Sequence, residues 1–239
     1  MREFVRLLLG AAIITTTVGC ASVATENRPH TYYEEQSRYR SADVPSFSDN
    51  SGQLDEAFIQ KILAYKLTFP SQGRVAVINL SSNSYWRNYS NEFAVINGEI
   101  DKSFIGKIRE SSRVYDASFL PSLLVPDKKE LGPLRMAATR YQADLLLGYT
   151  TKCERFEKSR LVESNVLKAY CTVEALAIDT RSGIIAFSAV ATNDVTAEKQ
   201  KDDVNFDETT KKAELKATSV GLVEIAEKLK NFIDRMPTP

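Results

Sequence analysis

Three apolar runs in the second half of the chain constrain its fold more than any other feature: Asp144 to about Phe156, Val166 to Asp179, and Ile184 to about Val195. The last two are joined by Thr180-Arg181-Ser182-Gly183, whose glycine suits the positive-φ corner of a tight hairpin. The first two flank the charged loop Lys158 to Asn165, and they read as antiparallel neighbours as well. Setting Cys153 opposite Cys171 also sets Thr151 opposite Val173, Tyr149 opposite Ala175 and Leu147 opposite Ala177. One face then collects Leu147, Tyr149, Val173, Ala175 and Ala177, so the alternating pattern and the cysteine pair demand the same register. Directly opposed strand residues have Cα atoms ~4.5–5.5 Å apart, which a disulfide can bridge. A Cys153–Cys171 bond is therefore expected, and it requires an oxidising compartment.

Upstream, Leu54, Phe58, Ile59, Ile62 and Leu63 fall on one helical stripe, with Ser51 where a cap is expected. Arg74-Val75-Ala76-Val77-Ile78-Asn79-Leu80 is apolar without alternation, the pattern of a strand covered on both faces. Phe93, Ile96, Ile100, Phe104 and Ile108 mark a second helix that Asn91 is placed to cap. A short strand around Val114 and Tyr115 follows, then a loop bracketed by Pro121 and Pro126. A third helix spans Lys129 to Tyr141, its start delayed by Gly132-Pro133. After the charged stretch Ala197 to Asp207, a last helix presents Leu215, Leu222, Ala226, Leu229, Ile233 and Met236 on one side, and Pro237 ends it. The order α-β-α-β-α-β-β-β-α predicts an α/β (α+β) fold, a mixed sheet with helices packed on it.

The amino terminus gives an address. Arg2 and Arg6 form a short positive region, Leu7 to Ile14 an apolar one, and Thr17-Val18-Gly19 precede Cys20 as a small-residue cleavage site. Residues 1–19 read as a signal peptide, and the apolar run is too short for a permanent span of the ~30 Å hydrocarbon core. Residues 21 to 52 hold no Leu, Ile or Met and are crowded with Ser, Glu, Arg, Tyr, Asn and Pro. Such a segment cannot bury enough apolar surface to offset its ordering entropy, so 20–52 read as a tether of about 30 Å root-mean-square span, and 53–239 as the folded domain.

Charge and composition exclude several functions. The chain carries 31 basic and 31 acidic residues, and losing Arg2, Arg6 and Glu3 with the leader leaves it near neutral, without an electrostatic footprint for nucleic acid. The single histidine, His30, lies in the tether, and the three cysteines are widely spread, so neither a metal site nor a Ser-His-Asp or Cys-His centre has its parts. No phosphate-binding glycine loop is present, and no cofactor is expected. The carboxylate pairs Glu34–Glu35 and Asp202–Asp203 lie in charge-rich connections and read as solvated. The loop with binding character is Asn83 to Tyr89. Its Tyr85, Trp86, Arg87 and Tyr89, including the only tryptophan, have the composition of an interaction hot spot, for protein or for cell-wall sugar, unless Trp86 folds back over the sheet edge.

Two resemblances follow from these residues. The leader ending at Cys20 resembles that of bacterial lipoproteins, in which the cysteine is acylated and becomes the first residue, with Thr17 departing from the usual leucine. There, Ala21 rather than aspartate after the cysteine implies export to the outer membrane, and several acyl chains meet the requirement for stable anchoring. Residues 74 to 236 resemble the superfamily of the TolB amino-terminal domain, the curli secretion-channel lipoproteins and the lipoprotein activators of penicillin-binding proteins. The likeness rests on Arg74 to Leu80, on Met136-Ala137-Ala138 with Tyr141 to Gly148 ("AA…GADYLLVG"), and on Ala177 to Gly183 ("LIDTRTGEI"). It implies an outer-membrane lipoprotein facing the periplasm that acts non-catalytically on an envelope protein partner as a regulator or assembly factor. The alternatives are a subunit of an oligomeric envelope or secretion complex, self-associating, and an envelope enzyme. The charged segment Lys152 to Asn165 would not enter lipid, so a curli-type membrane pore is the poorer fit.

Overall fold

In β1 (Gly73–Asn79), Val75, Ala76, Val77 and Ile78 are all buried, as an unalternating apolar strand requires. The computed structural model describes residues 56–81, 91–158 and 166–239, all within one compact unit. The elements run α1 (Glu56–Ala64), β1, α2 (Asn91–Arg109), β2 (Val114–Phe119), α3 (Leu131–Arg140), β3 (Leu145–Lys158), β4 (Val166–Asp179), β5 (Ile185–Glu198) and α4 (Phe206–Arg235). Ser122–Leu124 adds a 3-10 turn. The five strands form one mixed sheet in the order β2-β1-β3-β4-β5. β1 is parallel to β2 and β3, whereas β3-β4-β5 is an antiparallel meander.

Parallel neighbours need crossovers, and the two here lie on opposite faces. On one face, Ile100, Phe104, Ile105 and Ile108 of α2 and Leu222, Ile225, Ala226, Leu229 and Ile233 of α4 pack with Val75, Val77, Leu145 and Leu147. On the other, Leu134, Ala137 and Ala138 of α3 pack with Ala76, Ile78, Leu146 and Ile178. The far end of α4 is closed by Arg113, which donates from Nη1 to the Ile233 carbonyl at 2.8 Å and to the Met236 carbonyl, and from Nη2 to the Phe69 carbonyl. The Phe69 amide in turn donates to Pro237 at 2.9 Å. Gly73 is where the Phe69 ring lies against the backbone: a Cβ at residue 73 would sit 2.3 Å from Phe69 Cζ.

β3 and β4 have the register read from the sequence. Cys153 pairs with Cys171, Thr151 with Val173, Tyr149 with Ala175 and Leu147 with Ala177. Cys153 and Cys171 are joined by a disulfide, with Cα atoms 4.1 Å apart. Gly183 closes the second hairpin at φ 77°, its amide donating to the Asp179 carbonyl at 2.8 Å.

Several boundaries differ from expectation. β3 and β5 continue to Lys158 and Glu198, because the cross-strand ladder reaches into residues whose charges read as loop. Asn91 is the first residue of α2 itself rather than its cap. Helix α3 begins at Leu131 and holds Gly132-Pro133 in its first turn, where a proline's missing amide costs nothing. Asp203 is not solvated: its side chain is 1% exposed and ion-paired.

Candidate functional surface

The two halves of the sheet have different lengths, and that difference creates the surface. β1 ends at Asn79 beside Tyr149, whereas β3 and β4 run on together to Lys158 and Val166. Alternate residues of β3, β4 and β5 point to opposite faces. Of the odd-numbered ones, Val173, Ala175 and Ala191 are buried in the core that α4 covers. Leu167 and Ala169 pack with Ala213 of α4 farther along. Of the even-numbered ones, Leu146 and Ile178 are covered by α3, but the residues beyond Gly148 stand in four open ranks. These ranks are Thr150–Glu174–Val190, Lys152–Thr172–Thr192, Glu154–Tyr170–Asp194 and Phe156–Lys168–Thr196.

This face is amphipathic and already organised. The Phe156 and Tyr170 rings meet edge to face, 5.9 Å between centroids, and Lys168 Nζ lies 4.8 Å from the Tyr170 ring. Lys168 also sits 3.1 Å from Asp194 Oδ2. The Tyr170 hydroxyl, and then the Asp194 carboxylate, raise the Lys168 pKa above the ordinary lysine value. Thr172 and Thr192 share a hydrogen bond of 3.0 Å, and Lys152 pairs with Glu154 at 3.3 Å. Exposed pairs of this kind are screened by water and hold little stabilising energy. They set the posture of the side chains more than they stabilise the fold.

The proposed binding loop, Tyr85, Trp86, Arg87 and Tyr89, lies outside the described residues, as do Cys20 and the tether; its two stems are described. Leaving β1, the Leu80 amide donates to Tyr149 and Ser81 Oγ accepts from the Thr151 amide, each at 2.8 Å. The outgoing stem is therefore held to β3 beside Thr150 and Lys152, the first open ranks. At the returning stem, Glu92 binds Lys212 of α4 at 2.8 Å. Lys212 also contacts Asp203 at 2.9 Å and Glu208 at 3.1 Å. Burial opposes ionisation of Asp203, but hydrogen bonds from Thr209, Lys212 and the Gln200 amide outweigh it and hold its pKa at about 2. Glu92, and then Asp203, push Lys212 upward. This cluster is one that composition alone hides: Asp203 sits among other charges in the sequence, and only the path of residues 199–205 turns it inward.

Among the described residues, no group of three His, Cys, Asp or Glu side chains is placed to hold a metal ion. Among them, no helix is long and apolar enough to cross a membrane.

No protein-family model matches the chain, and no curated protein matches it. Among solved structures, the chain is similar to a PelC dodecamer from Paraburkholderia phytofirmans at 12% identity and a TM-score of 0.34, over 69% of this chain and 92% of that one. A neuraminyllactose-binding hemagglutinin homolog from Helicobacter pylori matches at 14% identity and a TM-score of 0.40, over 77% and 93%. A minor lipoprotein from Acinetobacter baumannii matches at 7% identity and a TM-score of 0.33, over 70% and 96%. At these scores the likenesses carry no argument, and the functional reading rests on the residues of the chain itself.

Proposed function

We propose that the chain is an outer-membrane lipoprotein, acylated at Cys20 and tethered through residues 20–52, whose domain at 53–239 binds an envelope protein partner without catalysing a reaction. The observation that carries the binding reading is the face of β3-β4-β5 that no helix among the described residues covers. A sheet prolonged beyond its helical cover, with ordered aromatic, hydroxyl and charged side chains, has no evident structural need for that length. The described stem before the Tyr85 to Tyr89 loop is held to β3 where Ser81 accepts from the Thr151 amide, and the composition of both the loop and the face is that of aromatic anchors within a polar rim.

The test is capture by crosslinking on native membranes, with Trp86→Ala and Tyr170→Ala as separate variants. Each is expected to weaken capture of a heterologous partner by about 2 kcal/mol or more while the thermal midpoint stays within a degree or two. Undiminished capture by both would overturn the reading. A ladder of the chain with itself would favour the alternative, a subunit of an oligomeric envelope complex.

A further inference from the structure

Among the described residues, the sheet ends on one side at β5, fourteen residues long with no strand beyond it. Which of its backbone groups face outward follows from the disulfide. Cys153 and Cys171 have Cα atoms 4.1 Å apart, the close spacing of a non-hydrogen-bonded antiparallel pair. Odd-numbered residues of β4 therefore turn their amides and carbonyls toward β5, and the odd-numbered residues of β5 opposite them turn inward. The even-numbered residues, Ser188, Val190, Thr192, Asp194 and Thr196, present theirs to the outside. Ile185 to Asn193 contains no charge, no proline and no glycine, the composition of a segment that pairs readily with its own kind. Nothing in that run supplies the protection that exposed edges need.

One group on α4 does. Lys228 Nζ donates to the Val190 carbonyl at 3.0 Å and is steadied by Glu224 at 2.7 Å. Glu224 also accepts from Asn193 at 3.5 Å, so the pair straddles the middle of the open edge. The ammonium occupies an acceptor that a pairing strand would need and places a positive charge where that strand would lie. We infer that Lys228 is a guard that keeps the β5 edge from pairing antiparallel with the β5 edge of a second copy. The second copy is the fitting occupant because two identical edges can close on a two-fold axis, and the uncharged run then lies against itself with no like charges opposed.

The experiment compares the full-length wild type with Lys228→Met and Lys228→Ala, purified in detergent, by sedimentation velocity over a hundredfold range of concentration. Circular dichroism checks that helix and strand content are unchanged. Each variant is expected to reach twice the wild-type mass as concentration rises, with slowed amide exchange at Val190 and Thr192. Adding Thr192→Lys to Lys228→Met, which returns a positive charge to the edge, is expected to restore the wild-type mass. Wild-type mass for both single variants at every concentration would overturn the inference. So would doubling that persists with Thr192→Lys.

Discussion

Gln142 holds the left-handed conformation, φ 57°, at the end of α3. Its amide donates to the Thr139 carbonyl at 2.9 Å and that of Ala143 to Ala138 at 3.0 Å, which closes the helix in the motif that glycine usually serves. A side chain in this conformation costs ~1–2 kcal/mol, and glycine returns part of that through its freer unfolded state. Gln142→Gly is therefore expected to stabilise by about 0.5–1 kcal/mol, read as a higher urea midpoint with unchanged slope. Lys212 works in the opposite sense. Its removal leaves the Asp203 carboxylate buried without its cation, so Lys212→Met should cost about 2–3 kcal/mol at pH 7. Because the folded pKa of Asp203, about 2, lies below its ordinary value, the carboxylate contributes stability above about pH 4 and loses it as pH falls toward 2. In urea melts at pH 7 and pH 3, the gap between wild type and Lys212→Met should narrow at the lower pH. A gap independent of pH would show that the lysine acts by packing alone.

At the scale of elements, the close approach of α4 to the sheet rests on Gly221. A Cβ there would lie 2.9 Å from Val173 Cγ2, and Val173 belongs to a strand held on both sides. Alanine gains up to ~1 kcal/mol in helix propensity, but overpacking costs ~1–3 kcal/mol, so Gly221→Ala should be destabilising by about 1 kcal/mol. Val173→Ala in the same chain removes the obstructing methyl groups, and the pair should be less destabilising than the sum of the single changes. The meander carries its own constraint in the Cys153–Cys171 bond. With the two cysteines 18 residues apart, the chain-entropy argument gives about 3 kcal/mol of stabilisation, to be read as the drop in urea midpoint on reduction. Intact mass after alkylation checks the bond itself: Cys153 and Cys171 should label only when reductant is present.

For the whole molecule, the prediction concerns location. Cys20→Ala should move the protein from outer-membrane fractions to the soluble periplasm or leave it as uncleaved precursor. Normal processing with retention in the outer membrane would remove the anchor from the account. If the proposed tether at residues 20–52 behaves as a flexible coil of about 30 Å root-mean-square span, a partner within that reach of the membrane is the one to seek.

Local patterning alone determined the order of strands and helices and the register of β3 against β4. Period-two alternation and the cysteine pair are local signals, and a slip of one residue would have turned every core side chain to water. The hairpin glycine was legible for the same reason, since its conformation depends on a few adjacent residues. Tertiary structure alone decided where the sheet outruns its cover, because the length of β3 and β5 past Phe156 and Val195 depends on ladder partners distant in the chain. It alone turned Asp203 inward, since a carboxylate is buried only where a cation and donors from other elements converge, here Lys212 and Thr209 of α4. The guard on β5 belongs with these: Lys228 reads as one more charge on a helix face until α4 is laid along the edge strand and the Val190 carbonyl comes within its reach.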